Sequence, residues 1–198
     1  EVVSAKKQNI PVWTQGRAVG AFMKGEIFGR AQTGISITGT HGKTTTTAMT
    51  ATILMHAGMD PSFLIGTSVI PSLGQSGHYG KGQYFIAEAD EYVSEPIHEI
   101  TPKLLLQHPA IAVITNIEFD HPDVYKSAAE VRDVMTKFVE ETVEDTGTVI
   151  LNSDDKNSKL LHEQIKPGSK KIITFGQQED AAYRIQNVHI SEQKTTFS

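Results

Sequence analysis

The sequence predicts an α/β fold: a mostly parallel sheet with helices on both faces and a small antiparallel appendage. Three observations predict it. Short apolar runs of strand length alternate with stretches of helical spacing along the 198 residues. Runs such as Gln83–Ala87 and Ala110–Thr115 are apolar nearly straight through rather than alternating, as in strands covered on both faces. A further strand, Gly34-Ile35-Ser36-Ile37-Thr38, leads through a glycine-bounded turn into a helical pattern.

The elements follow in order. Glu1–Gly25 reads as a short helix, a strand over Ile10-Pro11-Val12-Trp13 and a second helix through Phe22-Met23. That is too little for a domain, so residues 1–31 are expected to be the tail and linker of a preceding one, with a second unit over 32–198. The chain opens on Glu1 and stops at Phe197-Ser198 without terminal punctuation, so it is expected to be a piece of something longer. Beyond the first strand, Lys43–His56 is a helix stopped by Gly58 and Pro61. Ser62–Ile65 is a strand, and the Gly-rich segment Gly74–Gly82 is a loop or hairpin.

Gln83–Ala87 is a strand ending in Glu88-Ala89-Asp90-Glu91, and Ala110–Thr115 is another ending in a polar cluster. Val131, Val134, Met135, Phe138, Val139 and Val143 fall at helical spacing and predict a helix over 128–144. Strands over Gly147–Leu151 and Lys171–Phe175 flank a helix over Asp155–Ile165. Tyr183–Ser198 alternates like a hairpin.

Composition bounds the function. With 38% hydrophobic and 21% charged residues, the chain has material for a core. Its 18 Lys and Arg against 23 Asp and Glu give a net charge of −5. That is a poor match to a nucleic-acid backbone or an anionic membrane, so neither is expected as partner. With no cysteine, thiol catalysis, Cys-zinc sites and disulfides are excluded. No signal-peptide pattern opens the chain and no apolar run approaches the roughly 18 residues of a membrane span, so a cytoplasmic protein is expected.

The strongest chemical signal is Gly39-Thr40-His41-Gly42-Lys43-Thr44-Thr45 between strand and helix. Such a turn presents unpaired N–H groups at a helix N-terminus, where they hold phosphate oxygens. Lys43 supplies a point charge for the phosphates and Thr44 a hydroxyl for Mg²⁺, which makes the sheet P-loop-type. The loop is shorter than the common pattern: six residues before Lys43 stands Ile37, not glycine.

Ligands of parallel α/β sheets gather at the carboxyl ends of strands. Glu88 stands there, suited to a metal at the loop, while Asp90 and Glu91 stay ambiguous between the site and a cap. The second cluster is Asn116-Ile117-Glu118-Phe119-Asp120-His121. In it His121 suits a metal through neutral imidazole, with Asp120 or Glu118 behind it. The other histidines (His56, His78, His98, His108, His162 and His189) read as structural, apart from His41 in the loop.

Together these motifs resemble the central ATP-binding domain of the Mur ligases of peptidoglycan synthesis, across residues 34–198. Within that family, the histidine inside the loop is similar to the branch that joins L-alanine to UDP-N-acetylmuramate, and to the branch that attaches a murein tripeptide. The resemblance implies ATP and Mg²⁺, with Gly39, Thr40, His41, Gly42, Lys43, Thr44 and Thr45 around the nucleotide. It implies Thr44, Glu88 and His121 as metal ligands, and Lys43, His121 and Asn116 as the catalytic set. Residues 1–25 would then be the last elements of a UDP-sugar-binding domain. Some relatives carry a carbamylated lysine; the nearest here, Lys137, falls on the polar side of its helix and reads as surface. Tyr92-Val93-Ser94-Glu95-Pro96 departs from the alanine-ligase pattern and leaves the acceptor amine open. Because histidine is softer than Mg²⁺ prefers, Mn²⁺ is expected to substitute well.

Two other classes compete. A GTPase would carry Asn-Lys-x-Asp, which is absent, and a kinase would phosphorylate a stable acceptor. A non-catalytic nucleotide-binding module would be favoured by loss of Lys43 or Glu88, and both are present. Alone, the chain is expected to bind ATP weakly without ligase turnover.

Overall fold

The structure is a computed structural model, and it describes residues 2–97 and 99–198; His98 lies outside the described residues. In chain order, helix α1 (Val2–Lys7) and α2 (Gln15–Lys24) precede strand β1 (Thr33–Thr38) and α3 (Lys43–His56). Strands β2 (Ser62–Leu64), β3 (Gly77–His78) and β4 (Tyr84–Glu88) follow, then a hairpin of β5 (Val93–Glu95) and β6 (Glu99–Pro102). A 3-10 turn (Lys103–Leu106) leads to β7 (Ile111–Ile114), α4 (Ala128–Glu141), β8 (Thr148–Asn152), α5 (Lys156–Gln164) and β9 (Lys171–Gly176). The short strands β10 (Tyr183–Arg184), β11 (His189–Ile190) and β12 (Thr195–Thr196) complete the set.

Eight strands form one sheet in the order β10-β9-β8-β7-β1-β4-β2-β3, parallel except for the β2–β3 pair. The expected α/β architecture is therefore observed. The pleat explains the unbroken apolar runs. On β4, Phe85 and Ala87 pack with Val19 and Met23 of α2, while Ile86 packs with Ile35, Ile37 and Ala51 on the α3 face. Ala112, Ile114, Val149 and Leu151 meet α4 through Val131, Met135, Phe138 and Val139, all buried. Each of the larger side chains, from valine up, contributes about 1.5–3 kcal/mol by leaving water.

The helix ends follow their caps. Ser127 accepts from the Glu130 N–H to start α4, and Asp155 accepts from the Ser158 N–H at 2.7 Å to start α5. Helix α4 ends at Glu141, short of the expected 144, where the Thr142 hydroxyl turns back to the Phe138 carbonyl.

Two expectations are corrected. Residues 10–13 are not a strand: they join no sheet among the described residues, Pro11 offers no N–H, and Ile10, Val12 and Trp13 are exposed. The 183–198 segment is not one hairpin. Tyr183–Arg184 extends the main sheet in parallel beside β9, and only β11 and β12 pair as a hairpin. The hairpin β5–β6 was not anticipated; Arg17 of α2 clamps it through a forked pair with Glu99. Lys137 is exposed and pairs with Glu141 one turn on at 3.8 Å, which fits the surface reading. Among the described residues, no helix is long and apolar enough to cross a membrane.

Candidate functional site

Strand β1 sits at the sheet centre, so the turn after Thr38 opens at the carboxyl edge beside the ends of β4 and β7. The turn is tight. Gly39 has φ 129°, and a Cβ there would stand 2.1 Å from Thr115 Oγ1, so no other residue fits. Helix α3 has Gly42 at its N-cap and no side-chain cap, leaving its first N–H groups for a ligand.

The loop is held from β7's side. Asn116 grips the His41 backbone with both ends of its amide: Oδ1 accepts from the His41 N–H at 2.9 Å, and Nδ2 donates to the His41 carbonyl at 3.0 Å. Thr40 Oγ1 accepts from the Glu118 N–H at 2.8 Å. Asn116 and Thr40 are thus engaged in shaping the loop. The His41 ring is exposed, 3.7 Å from Glu118. Thr45 is exposed on the first turn of α3 and, with Thr44, lines a depression alongside Met49 and Ile53.

Thr44 meets a carboxylate at the end of β4, and Lys43 one just beyond it. Thr44 Oγ1 donates to Glu88 Oε2 at 3.0 Å, and the Gly66 N–H donates to Glu88 Oε1 at 2.6 Å. The Lys43 ammonium donates to the Gly39 carbonyl at 2.7 Å and to Glu91 Oε2 at 3.1 Å. Glu91 is fully buried, and its main-chain carbonyl accepts from the Tyr125 hydroxyl at 2.5 Å. Asp90 lies 3.9 Å from Lys43 and accepts from Lys103 at 3.1 Å. Burial works to raise its pKa, and the Lys103 hydrogen bond with the charges of Lys103 and Lys43 more than offsets this, leaving it lowered.

His121 completes the site with φ 54°, a left-handed backbone uncommon outside glycine. Its Nε2 lies 3.8 Å from Glu91 Oε1 and 3.8 Å from Asp120 Oδ2, and the Tyr92 ring leans on it at 4.8 Å. Of the two acids expected behind His121, only Asp120 is there; Glu118 turns to His41 instead.

Ligand atoms of Asp90, Glu91 and His121 lie within 4.8 Å of one another, and Thr44 with Glu88 forms a second oxygen pair. Carboxylate and hydroxyl oxygens fit a hard divalent ion, and one imidazole beside them fits Mg²⁺ less well than Mn²⁺. The expected metal residues therefore fall into two neighbouring groups rather than one.

Sequence reasoning left Asp90 and Glu91 ambiguous and missed Lys103 and Tyr125. The acidic run after β4 was the available signal for the first two. The others lie in segments whose pattern carried no functional cue. On the other side of the loop opens a largely apolar cavity of about 660 Å³, lined by residues such as Gly42, Thr46, Asn116, Ile173 and Phe175.

Comparison with known proteins bears on this geometry. The Mur ligase middle domain matches residues 37–198. UDP-N-acetylmuramate–L-alanine ligase of Syntrophotalea carbinolica is 34% identical over all of this chain and 39% of its own length. The enzyme of the same name from Trichlorobacter lovleyi is 36% identical over 40% of its length. The chain thus spans about two fifths of these relatives.

Among solved structures, the UDP-N-acetylmuramate:L-alanyl-gamma-D-glutamyl-meso-diaminopimelate ligase from Neisseria meningitides superposes with TM-score 0.77 at 22% identity, covering 98% of this chain and 61% of that one. The UDP-N-acetylmuramate-alanine ligase from Thermotoga maritima gives 0.68 at 22% identity, over 94% of this chain and 37% of that one. Fold, loop and sequence agree, and the chain belongs to the Mur ligase middle-domain family.

Proposed function

We propose that this chain is the ATP site of a cytoplasmic peptidoglycan-precursor ligase that joins UDP-N-acetylmuramate to L-alanine. The supporting observation is the meeting of Lys43, Thr44, Glu88, Glu91 and His121 at the uncapped start of α3.

In the reaction, a carboxylate oxygen of the muramoyl substrate attacks the γ-phosphorus of ATP. The bond to the β-phosphate oxygen breaks, and ADP leaves an acyl phosphate behind. The amine then attacks the acyl carbon and loses a proton, phosphate departs and the amide remains. Both steps bring anions together, so charge neutralisation is the main demand on the protein. The N–H groups from Gly42 onward bind phosphate oxygens. Lys43 exchanges Glu91 for the phosphates. Thr44 and Glu88 would hold one cation, and His121 with Asp90 and Glu91 a second. Bound Mg²⁺ supplies Lewis-acid charge to the transferred phosphoryl group, with Mn²⁺ a substitute. The apolar cavity beside Asn116 and Phe175 suits the base.

A second reading, a ligase that attaches a murein tripeptide, is favoured by Tyr92. It opens the Tyr92–Pro96 segment that departs from the alanine-ligase pattern; its ring stands against His121, and its hydroxyl donates to Asp123 at 2.6 Å.

Calorimetry with Mg·ATP tests the assignment: the 198-residue chain binds, and Lys43→Ala abolishes the heat. Equal binding by both overturns it. Amine-dependent ADP release with L-alanine against tripeptide, measured on the longer parent protein, separates the two readings and separates both from a kinase.

A further inference from the structure

We infer that Gln107 is a positioning residue for Glu88, setting the angle at which that carboxylate leaves the end of β4. This rests on the proposal that Glu88 holds a cation.

Gln107 follows the 3-10 turn and is 1% exposed. Both ends of its amide are used. Oε1 accepts from the Ser36 hydroxyl of β1 at 2.5 Å, and Nε2 donates to the Glu88 main-chain carbonyl at 2.8 Å. A buried amide is tolerated here because both its hydrogen bonds are made, and an apolar residue would strand the Ser36 hydroxyl. What the amide adds is a fixed grip on the 88–89 peptide, where β4 stops. That peptide orients the Glu88 side chain, whose two oxygens are shared between the Gly66 N–H and Thr44. Among the described residues Gln107 makes no hydrogen bond to Thr44 or to the loop; its two side-chain partners are Ser36 and Glu88, and of these Glu88 carries its effect to the site.

The test uses the 198-residue chain and two readouts: the Gly66 amide proton by NMR without metal, and Mn²⁺ binding with ATP by electron paramagnetic resonance. The short bond to a carboxylate places the Gly66 proton downfield. Gln107→Met is expected to move it in the same direction as Glu88→Gln, and to weaken Mn·ATP binding about tenfold. Ser36→Ala, which disturbs the same buried pair from its other side, lowers stability and leaves both readouts near wild type. Gln107→Leu, close in volume, also removes the donor; it is read the same way, and it serves if the methionine variant does not fold. An unmoved Gly66 proton in the Gln107 variants, or an equal movement in Ser36→Ala, overturns the inference. If the wild type binds no Mn·ATP, the metal assignment of Glu88 fails, and the Gly66 proton still decides the role of Gln107.

Discussion

The Thr44 hydroxyl donates to the Glu88 carboxylate at 3.0 Å across 44 residues of chain. A strand end and a helix start are thereby joined at the point where the proposed phosphate-bound cation would take two oxygens. Glu88→Gln keeps the size and removes the charge. Mg·ATP affinity is expected to fall at least about tenfold, or about 1.4 kcal/mol, with the melting temperature little changed. Calorimetry beside a thermal melt checks it.

His121→Ala tests the second group of ligands. Mn²⁺ affinity in the presence of ATP is expected to fall about 10–100-fold, the scale on which altering a metal's surroundings acts. Direct titration with Mn²⁺ reads this, and equal affinity in both proteins counts against His121 as a ligand.

Gly20 gives a stability prediction with an inverted sign. Within an exposed helix, Gly→Ala gains about 1 kcal/mol. In α2, a Cβ at position 20 would stand 2.0 Å from the Leu106 carbonyl oxygen, so helix and 3-10 turn must separate. Gly20→Ala is expected to cost about 1–3 kcal/mol in urea denaturation.

Tyr125 predicts an alkaline effect. Burial first, then the charges of Glu91 and Asp90, pushes its phenol up to about 12. The folded protein therefore favours the neutral phenol. That stability is fully present below the ordinary value near 10 and is lost as pH rises through about 12. The Tyr92 phenol is also raised, chiefly by its hydrogen bond to Asp123, so phenolate absorbance should show a late-titrating component that Tyr125→Phe reduces and does not abolish. The stability gap between the two proteins should be constant at neutral pH and shrink above about pH 10.

Much of this was legible in the sequence for physical reasons. Strands covered on both faces read as short apolar runs, so β4 and β7 announced themselves, β1 was marked by the glycine-bounded turn after it, and the ends of β4 and β7 pointed to Glu88 and His121. Helix α3 was bounded by Gly42 and Gly58, and its observed span is Lys43–His56. What was hidden depended on contacts distant in the chain. The buried Glu91 carboxylate meets Lys43 and its main-chain carbonyl meets Tyr125, both brought from elsewhere in the chain. Gln107 looks like a loop polar residue until Ser36 and Glu88 meet it. The apolar string 10–13 imitated a strand, but a strand needs a partner edge, and that is not a local property.

The most direct measurement is a crystal structure of the chain with Mg²⁺ and a non-hydrolysable ATP analogue. The account predicts the triphosphate over Gly39–Thr45, a cation on Thr44 and Glu88, and the Lys43 ammonium moved from Glu91 to the phosphates. A nucleotide seated elsewhere, for instance in the cavity beside Trp13 and Arg17, with Lys43 still on Glu91, would contradict it.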